Sequence, residues 1–345
     1  MTDRTVADLL DRGRAALPED LAGHIAAGAG DESTIDANRR AIERHRLVHS
    51  MAQGVGTPDL TTPFFGASLT MPVFTAPMGP MELVDPGGAA AVARGAHTAG
   101  IGTMPAITAA PRFEDVAAVG APTLAQFYWW GDRLWLAGMV ERVERAGCIG
   151  IAVTVDVPAY GKRRRDLHSG FDHHGQMALP NLVDAPTDRA SRIAHGRSIT
   201  LSDLEWFCSL TELPVIIKGV LSGRDARHVI EIGADAVYVS NHGGRALGGQ
   251  VGTVDVLAEI VDEVDDRVPV IVDGGFASAE DICVALALGA DLVALGRPVA
   301  WALAADGAEG VAHLANLLHE DLTTALTVLG ASTPSALTRD HIRTV

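Results

Sequence analysis

A closed (β/α)8 barrel is the fold this sequence predicts. Three observations predict it: eight short apolar runs, intervals between them that each hold one helix, and polar residues gathered at the C-terminal ends of the runs. The runs are Pro72–Ala76, Ile101–Met104, Thr123–Tyr128, Gly150–Val155, Pro214–Lys218, Ala236–Ser240, Pro269–Val272 and Asp291–Leu295. IAVTV and PVIIK are apolar without alternation, as in strands covered on both faces, hence a parallel sheet with helical crossovers. All but one of the start-to-start intervals lie between 22 and 33 residues, enough for one βα unit. Eight such units match the usual size of this class, ~250 residues. An open doubly wound sheet, usually with fewer strands, ranks second.

The remaining segments are read around that frame. Residues 1–50 form a helical N-terminal extension, with helices over Thr5–Arg14, Asp20–Ala27 and, after the break GAGD, Asp31–Arg44. The barrel occupies residues 72–310. The exceptional interval of 64 residues follows the fourth strand and places an insertion at 164–199, read as a long surface loop near the mouth. With no linker-like stretch and no internal repeat, 1–345 reads as one domain.

Composition narrows the function classes. Hydrophobic residues make up 48% and charged residues 20%, which excludes wholesale disorder. Lys and Arg number 27 against 43 Asp and Glu, a formal charge of −16, which argues against nucleic acid and anionic membranes as partners. A small anionic substrate in a local basic pocket stays compatible with that surface. Cys148, Cys208 and Cys283 are far apart with no CxxC pair, so neither a disulfide framework nor a zinc site is expected. Asp3, Asp8 and Asp11 make the N-terminus a helix rather than a signal peptide, and no apolar run approaches the ~20 residues of a membrane span. A cytoplasmic protein is expected.

In such a barrel the chemistry sits at the C-terminal strand ends. Those ends read Ala76-Pro77-Met78-Gly79, Gln126-Phe127-Tyr128, Thr154-Val155-Asp156, Lys218-Gly219, Ser240-Asn241-His242-Gly243-Gly244-Arg245, Asp273-Gly274-Gly275 and Gly296-Arg297. The last two can offer backbone N–H groups and a guanidinium to a phosphate. A lone histidine is more often a satisfied core residue, but His242 stands beside Arg245 with Asp156 available from another strand. A carboxylate on one ring nitrogen fixes the tautomer and leaves the other to take a proton. Arg245 offers a planar fork for a carboxylate, and Lys218 can counter negative charge on a cofactor. Weaker signals are set aside: the basic run 162–165 is a solvated face, and His168, His173 and His174 lack metal-ligand spacing, so no metal is expected. Trp129 and Trp130 are read as aromatic packing by default.

QFYWW, TVDVPAYGKRRRD, VIIKGV, SNHGGR, VDGG and ALALGADLVALGRPV together resemble the FMN-dependent 2-hydroxy-acid oxidases and dehydrogenases. The resemblance runs from about residue 5 to the C-terminus. It implies FMN across the mouth of a TIM barrel, and oxidation of an L-2-hydroxy acid to the 2-oxo acid. Pro77, Met78 and Gly79 would face the flavin. Gln126, Thr154, Lys218 and Ser240 would hold its ring and ribityl chain, and Asp273, Gly274, Gly275, Gly296 and Arg297 would complete the cofactor site around the phosphate. His242 paired with Asp156 would act as base, Tyr128 would orient the hydroxyl, and Arg245 and Arg163 would grip the substrate carboxylate. The acceptor of electrons would be oxygen or another carrier, and the assembly a homotetramer.

Departures from that pattern accompany the resemblance. A substrate-binding tyrosine falls at His24 and the next tyrosine at Ile25; an arginine at the phosphate falls at Ala277; and a serine near the flavin falls at Ala106. Met78 replaces a smaller residue and Gly248 an aspartate. These changes leave two alternatives: a relative repurposed in biosynthesis for a larger or aryl substrate, and a non-catalytic FMN-binding protein.

Overall fold

Residues 3–345 are described in the computed structural model, apart from 173, 183, 184, 186 and 187. His173 therefore lies outside the described residues. Helices α1 (Val6–Ala16), α2 (Glu19–Ala26) and α3 (Ser33–Glu43) form the N-terminal extension, followed by the short strands β1 (His45–Leu47), β2 (Thr62–Phe64) and β3 (Ala67–Leu69). The barrel strands are β4 (Val73–Thr75), β5 (Leu124–Tyr128), β6 (Gly150–Thr154), β7 (Val215–Val220), β8 (Ala236–Val239), β9 (Val270–Val272) and β10 (Leu292–Leu295). They pair in parallel in the order β4-β10-β9-β8-β7-β6-β5, so the first barrel strand lies beside the last.

The ring between β4 and β5 is completed by residues 102–106. The expected strand Ile101–Met104 occupies the right place, but it is held by isolated parallel bridges: Phe74 to Gly102, Thr103 to Thr123 and Ala106 to Gln126. Two residues shape this segment. Pro105 has no N–H to give, and Gly102 lies against the Phe74 ring, whose nearest carbon would be 2.1 Å from a Cβ at that position.

Burial explains the unbroken apolar runs. Ile216, Tyr238, Ile271 and Leu292 point into the barrel, while Ile217, Val237, Val270 and Val293 face the helices, and all eight are buried. Each of the seven aliphatic side chains among them contributes about 1.5–3 kcal/mol over exposure. The β2–β3 hairpin inserts Phe64 and Leu69 into the interior cluster beside Phe74. The C-terminal strand β11 (Ile342–Thr344) pairs antiparallel with β1 and ties the chain end to the extension.

The insertion after β6, read from the sequence as a surface loop, carries helices over Arg164–Ser169 and Arg189–Ser198, the second N-capped by Asp188, which accepts from the Ser191 N–H. The helix Arg297–Leu329 is interrupted at Asp306–Gly307, where Arg12 of α1 donates to the Ala305 carbonyl and the Asp306 carboxylate. Among the described residues no helix is long and apolar enough to cross a membrane, and no group of His, Cys, Asp and Glu is arranged to hold a metal.

Candidate active site

The C-terminal strand ends surround a cleft of about 560 Å³. His24, Pro77, Met78, Gly79, Tyr128, Arg163, Lys218, His242, Arg245, Asp273, Gly274, Gly275, Gly296 and Arg297 all line it. Asp156, Gln126, Thr154 and Ser240 lie just behind the residues that line it.

Asp156 Oδ1 lies 3.0 Å from His242 Nδ1, and Tyr128 Oη lies 3.3 Å from His242 Nε2. A ring nitrogen facing a carboxylate carries the proton, so Nε2 presents its lone pair to the cleft. His242 itself adopts a left-handed backbone, φ 58°, unusual for a residue with a Cβ. The loop is held there by its own polar groups: the His242 N–H donates to Ser240 Oγ at 3.0 Å, and the Gly244 N–H to Asn241 Oδ1 at 3.2 Å. Asn241 is locked in turn against Asn38 of α3 by reciprocal amide bonds of 2.9 and 2.7 Å. Tyr128 is held well above the usual phenol range by burial and then by the charge of Asp156, so it stays a donor.

Five arginines, Arg39, Arg163, Arg192, Arg245 and Arg297, line the acidic protein's cleft. Arg245 Nη1 lies 2.8–3.2 Å from the carbonyl oxygens of His24, Ile25 and Ala27. Arg297 donates to Ile25 and Ala27 from the same stretch, and to Gly243. The two guanidinium groups thus cap the carbonyls at the C-terminal end of α2, where the helix runs out of N–H donors. Burial, then Arg163 and Arg297, hold Arg245 well below the usual arginine range, and burial pushes Arg297 down to about 10. An anion relieves such crowding of like charge.

His24 sits at the junction of these groups. Its Nδ1 is 3.1 Å from both oxygens of Asp166, which also accepts from Arg163 Nε at 2.8 Å. By the argument used for His242, His24 Nε2 then accepts from Arg245 Nη2 at 3.3 Å. His24 and Asp166 therefore join the two arginines assigned to the substrate carboxylate.

The residues present fit FMN. Gln126 donates to Thr154 Oγ1 and to the Phe127 carbonyl, leaving its buried Oε1 with no protein partner and able to accept from a ligand N–H. Gly274 adopts φ 109°, where a Cβ would approach Thr253 Oγ1 to 2.8 Å, so only glycine keeps this turn against its neighbours. Lys218 brings a buried ammonium to the same cleft.

The family model for FMN-dependent dehydrogenases matches residues 13–344. The chain belongs to that family. It is 37% identical to 4-hydroxymandelate oxidase of Amycolatopsis orientalis, over 98% of each chain. It is 39% identical to L-lactate oxidase of Nostoc sp., over 89% of this chain and 88% of that one. A solved structure of mandelate oxidase with (S)-2-phenylpropionate superposes with a TM-score of 0.92 at 37% identity, covering 100% of this chain and 99% of that one. The fold is thus the family's TIM barrel, the cofactor is FMN, and the chemistry is oxidation of 2-hydroxy acids.

Two kinds of residue escaped the sequence reading. Asn38 and Asp166 are polar residues on helices; the partner of Asn38 at Asn241 and that of Asp166 at His24 lie more than 100 positions away, and only the Arg163–Asp166 pair is local. Tyr238 did carry a signal: a phenol in the middle of the aliphatic run AVYV needs a buried acceptor.

Proposed function

We propose that this protein oxidises an L-2-hydroxy acid with a large apolar or aryl side chain to the 2-oxo acid, and passes the electrons to oxygen. The carrying observation is His242, fixed by Asp156, with Nε2 facing Tyr128 beside Arg245 in one cleft. Arg245 and Arg163 bind the carboxylate, with His24 aligning Arg245. Tyr128 donates to the substrate oxygen. His242 Nε2 takes a proton as the alcohol becomes a carbonyl, and Asp156 stabilises the resulting imidazolium. When bound, FMN supplies the two-electron acceptor.

Pro77, Met78, Gly79, Gln126, Thr154, Lys218 and Ser240 serve the flavin and ribityl, and Asp273, Gly274, Gly275, Gly296 and Arg297 the rest of the cofactor. The preference for a large side chain is supported by Trp130, which stacks on Tyr128 at 4.6 Å, and by Tyr160, Met177 and Leu179 along the same cleft. That two relatives are oxidases, of 4-hydroxymandelate and of L-lactate, supports oxygen as acceptor.

Anaerobic mixing with glycolate, lactate and an arylglycolate tests this reading. Bleaching of the flavin fastest with the aryl acid is expected; failure with all three overturns the substrate class. We further propose one domain over 1–345, since α2 builds part of the cleft, and a cytosolic homotetramer, which light scattering of the purified protein checks.

A further inference from the structure

Tyr238 is fully buried inside the barrel, and neither substrate binding nor proton transfer uses it. Its hydroxyl donates to Asp273 Oδ2 at 3.0 Å, the oxygen that also accepts from Lys218 Nζ at 2.8 Å. Ser240 Oγ donates to Asp273 Oδ1 at 2.7 Å and accepts from Lys218 at 2.5 Å. The ammonium stands 4.3 Å from the centre of the Tyr238 ring, within cation–π range. Asp273 thus receives three donors, and Lys218 and Asp273 present opposite charges to the same cleft. Burial, then the charge of Asp273, hold the Tyr238 phenol well above its usual range, so its hydroxyl keeps its proton.

We propose that Tyr238 is a positioning residue that sets the reduction potential of bound FMN, by sharing the charge of Asp273 and so leaving the Lys218 ammonium to act on the cofactor. The inference rests on the reading that Lys218 lies at the flavin. Reduction adds negative charge there, so the field of Lys218 favours the reduced form and that of Asp273 opposes it. The Tyr238 O–H dipole turns its positive end to Asp273. Without it the carboxylate weighs more heavily and draws Lys218 closer. Both effects lower the potential.

The test is anaerobic equilibration of the FMN-loaded protein with indicator dyes, for the natural protein, Tyr238→Phe, Lys218→Gln and the double variant. Tyr238→Phe keeps the ring beneath the ammonium and removes only the oxygen. It shifts the equilibrium about threefold toward the oxidised form, ~15 mV for a two-electron couple. Lys218→Gln also lowers the potential, and in that background Tyr238→Phe lowers it further by less than in the natural protein, because only the direct effect of the Asp273 charge remains. A more acidic fluorotyrosine installed at position 238 raises the potential, an outcome that loss of packing does not produce. An unchanged or raised potential in Tyr238→Phe, with Lys218→Gln lowered, overturns the inference alone. An unchanged potential in Lys218→Gln overturns the placement of Lys218 at the flavin, and the inference with it. If Lys218→Gln fails to retain FMN, that loss supports the placement, and the two variants at position 238 decide.

Discussion

A methyl group on Gly219 would stand 2.6 Å from the Cβ of Asp156, closer than two carbons can pack. Gly219 has φ 115°, and the pairing of β7 with β8 shifts register between Lys218 and Val220. The bulge and the missing side chain together give Asp156 the space from which it reaches His242. Gly219→Ala should therefore cost about 1–3 kcal/mol in stability from the backbone alone. By displacing Asp156 it should also slow flavin reduction by about 10²-fold. Thermal unfolding and stopped-flow absorbance check the two effects separately.

His242→Ala removes the group that takes the proton. Flavin reduction by the preferred acid should fall by about 10²–10⁴-fold, while the FMN content of the purified protein stays unchanged. Reduction at the natural rate would remove His242 from its role.

At His24, the two ring nitrogens can be tested apart. His24→Phe deprives Arg245 Nη2 of its acceptor and Asp166 of one partner. KM for the hydroxy acid should rise about tenfold, the scale of one hydrogen bond to a charged group, with kcat changing less. His24→Gln, whose amide oxygen can still accept from Arg245, should recover part of the loss.

The phosphate end of the cleft has Ala277 where the family resemblance places an arginine, and Arg297 is engaged by backbone carbonyls. Ala277→Arg should tighten FMN binding by about tenfold or more, the worth of one charge-assisted bond. Titration of the apoprotein with FMN, followed by flavin fluorescence, measures it.

Burial pushes the Cys148 and Cys283 thiols up to about 12 and Cys208 up to about 11. Their thiolates are therefore scarce at neutral pH, and a thiol reagent should label them slowly until the protein is unfolded. The sign for stability follows. A thiol raised in the fold contributes stability fully below the unfolded value, near 9, and loses it as pH rises toward the folded value. Unfolding curves should show this loss between about pH 9 and 12.

Much of the fold was legible because barrel strands buried on both faces leave continuous apolar runs, and the strand ends then name the cleft. His242, Asp156, Tyr128 and Lys218 could be found that way because each sits at such an end. The irregular second strand was not legible: Pro105 was in view, but the packing of the Phe74 ring against Gly102, which leaves no room for a Cβ, is a contact in space. His24 was legible as a departure, whereas its link to Asp166 and Arg245 joins segments 142 and 221 positions away in the chain. Likewise nothing in the spacing of α2 announced that its last carbonyls hold Arg245 and Arg297.

That shared helix terminus makes the first thirty residues inseparable from the catalytic apparatus. One short run of backbone oxygens anchors a guanidinium assigned to substrate and another assigned to cofactor, so a shift of α2 moves both at once. Grafting residues 18–27 from a relative would transplant acid preference and flavin affinity as a unit, and engineering either trait here without disturbing the other has to begin elsewhere in the chain.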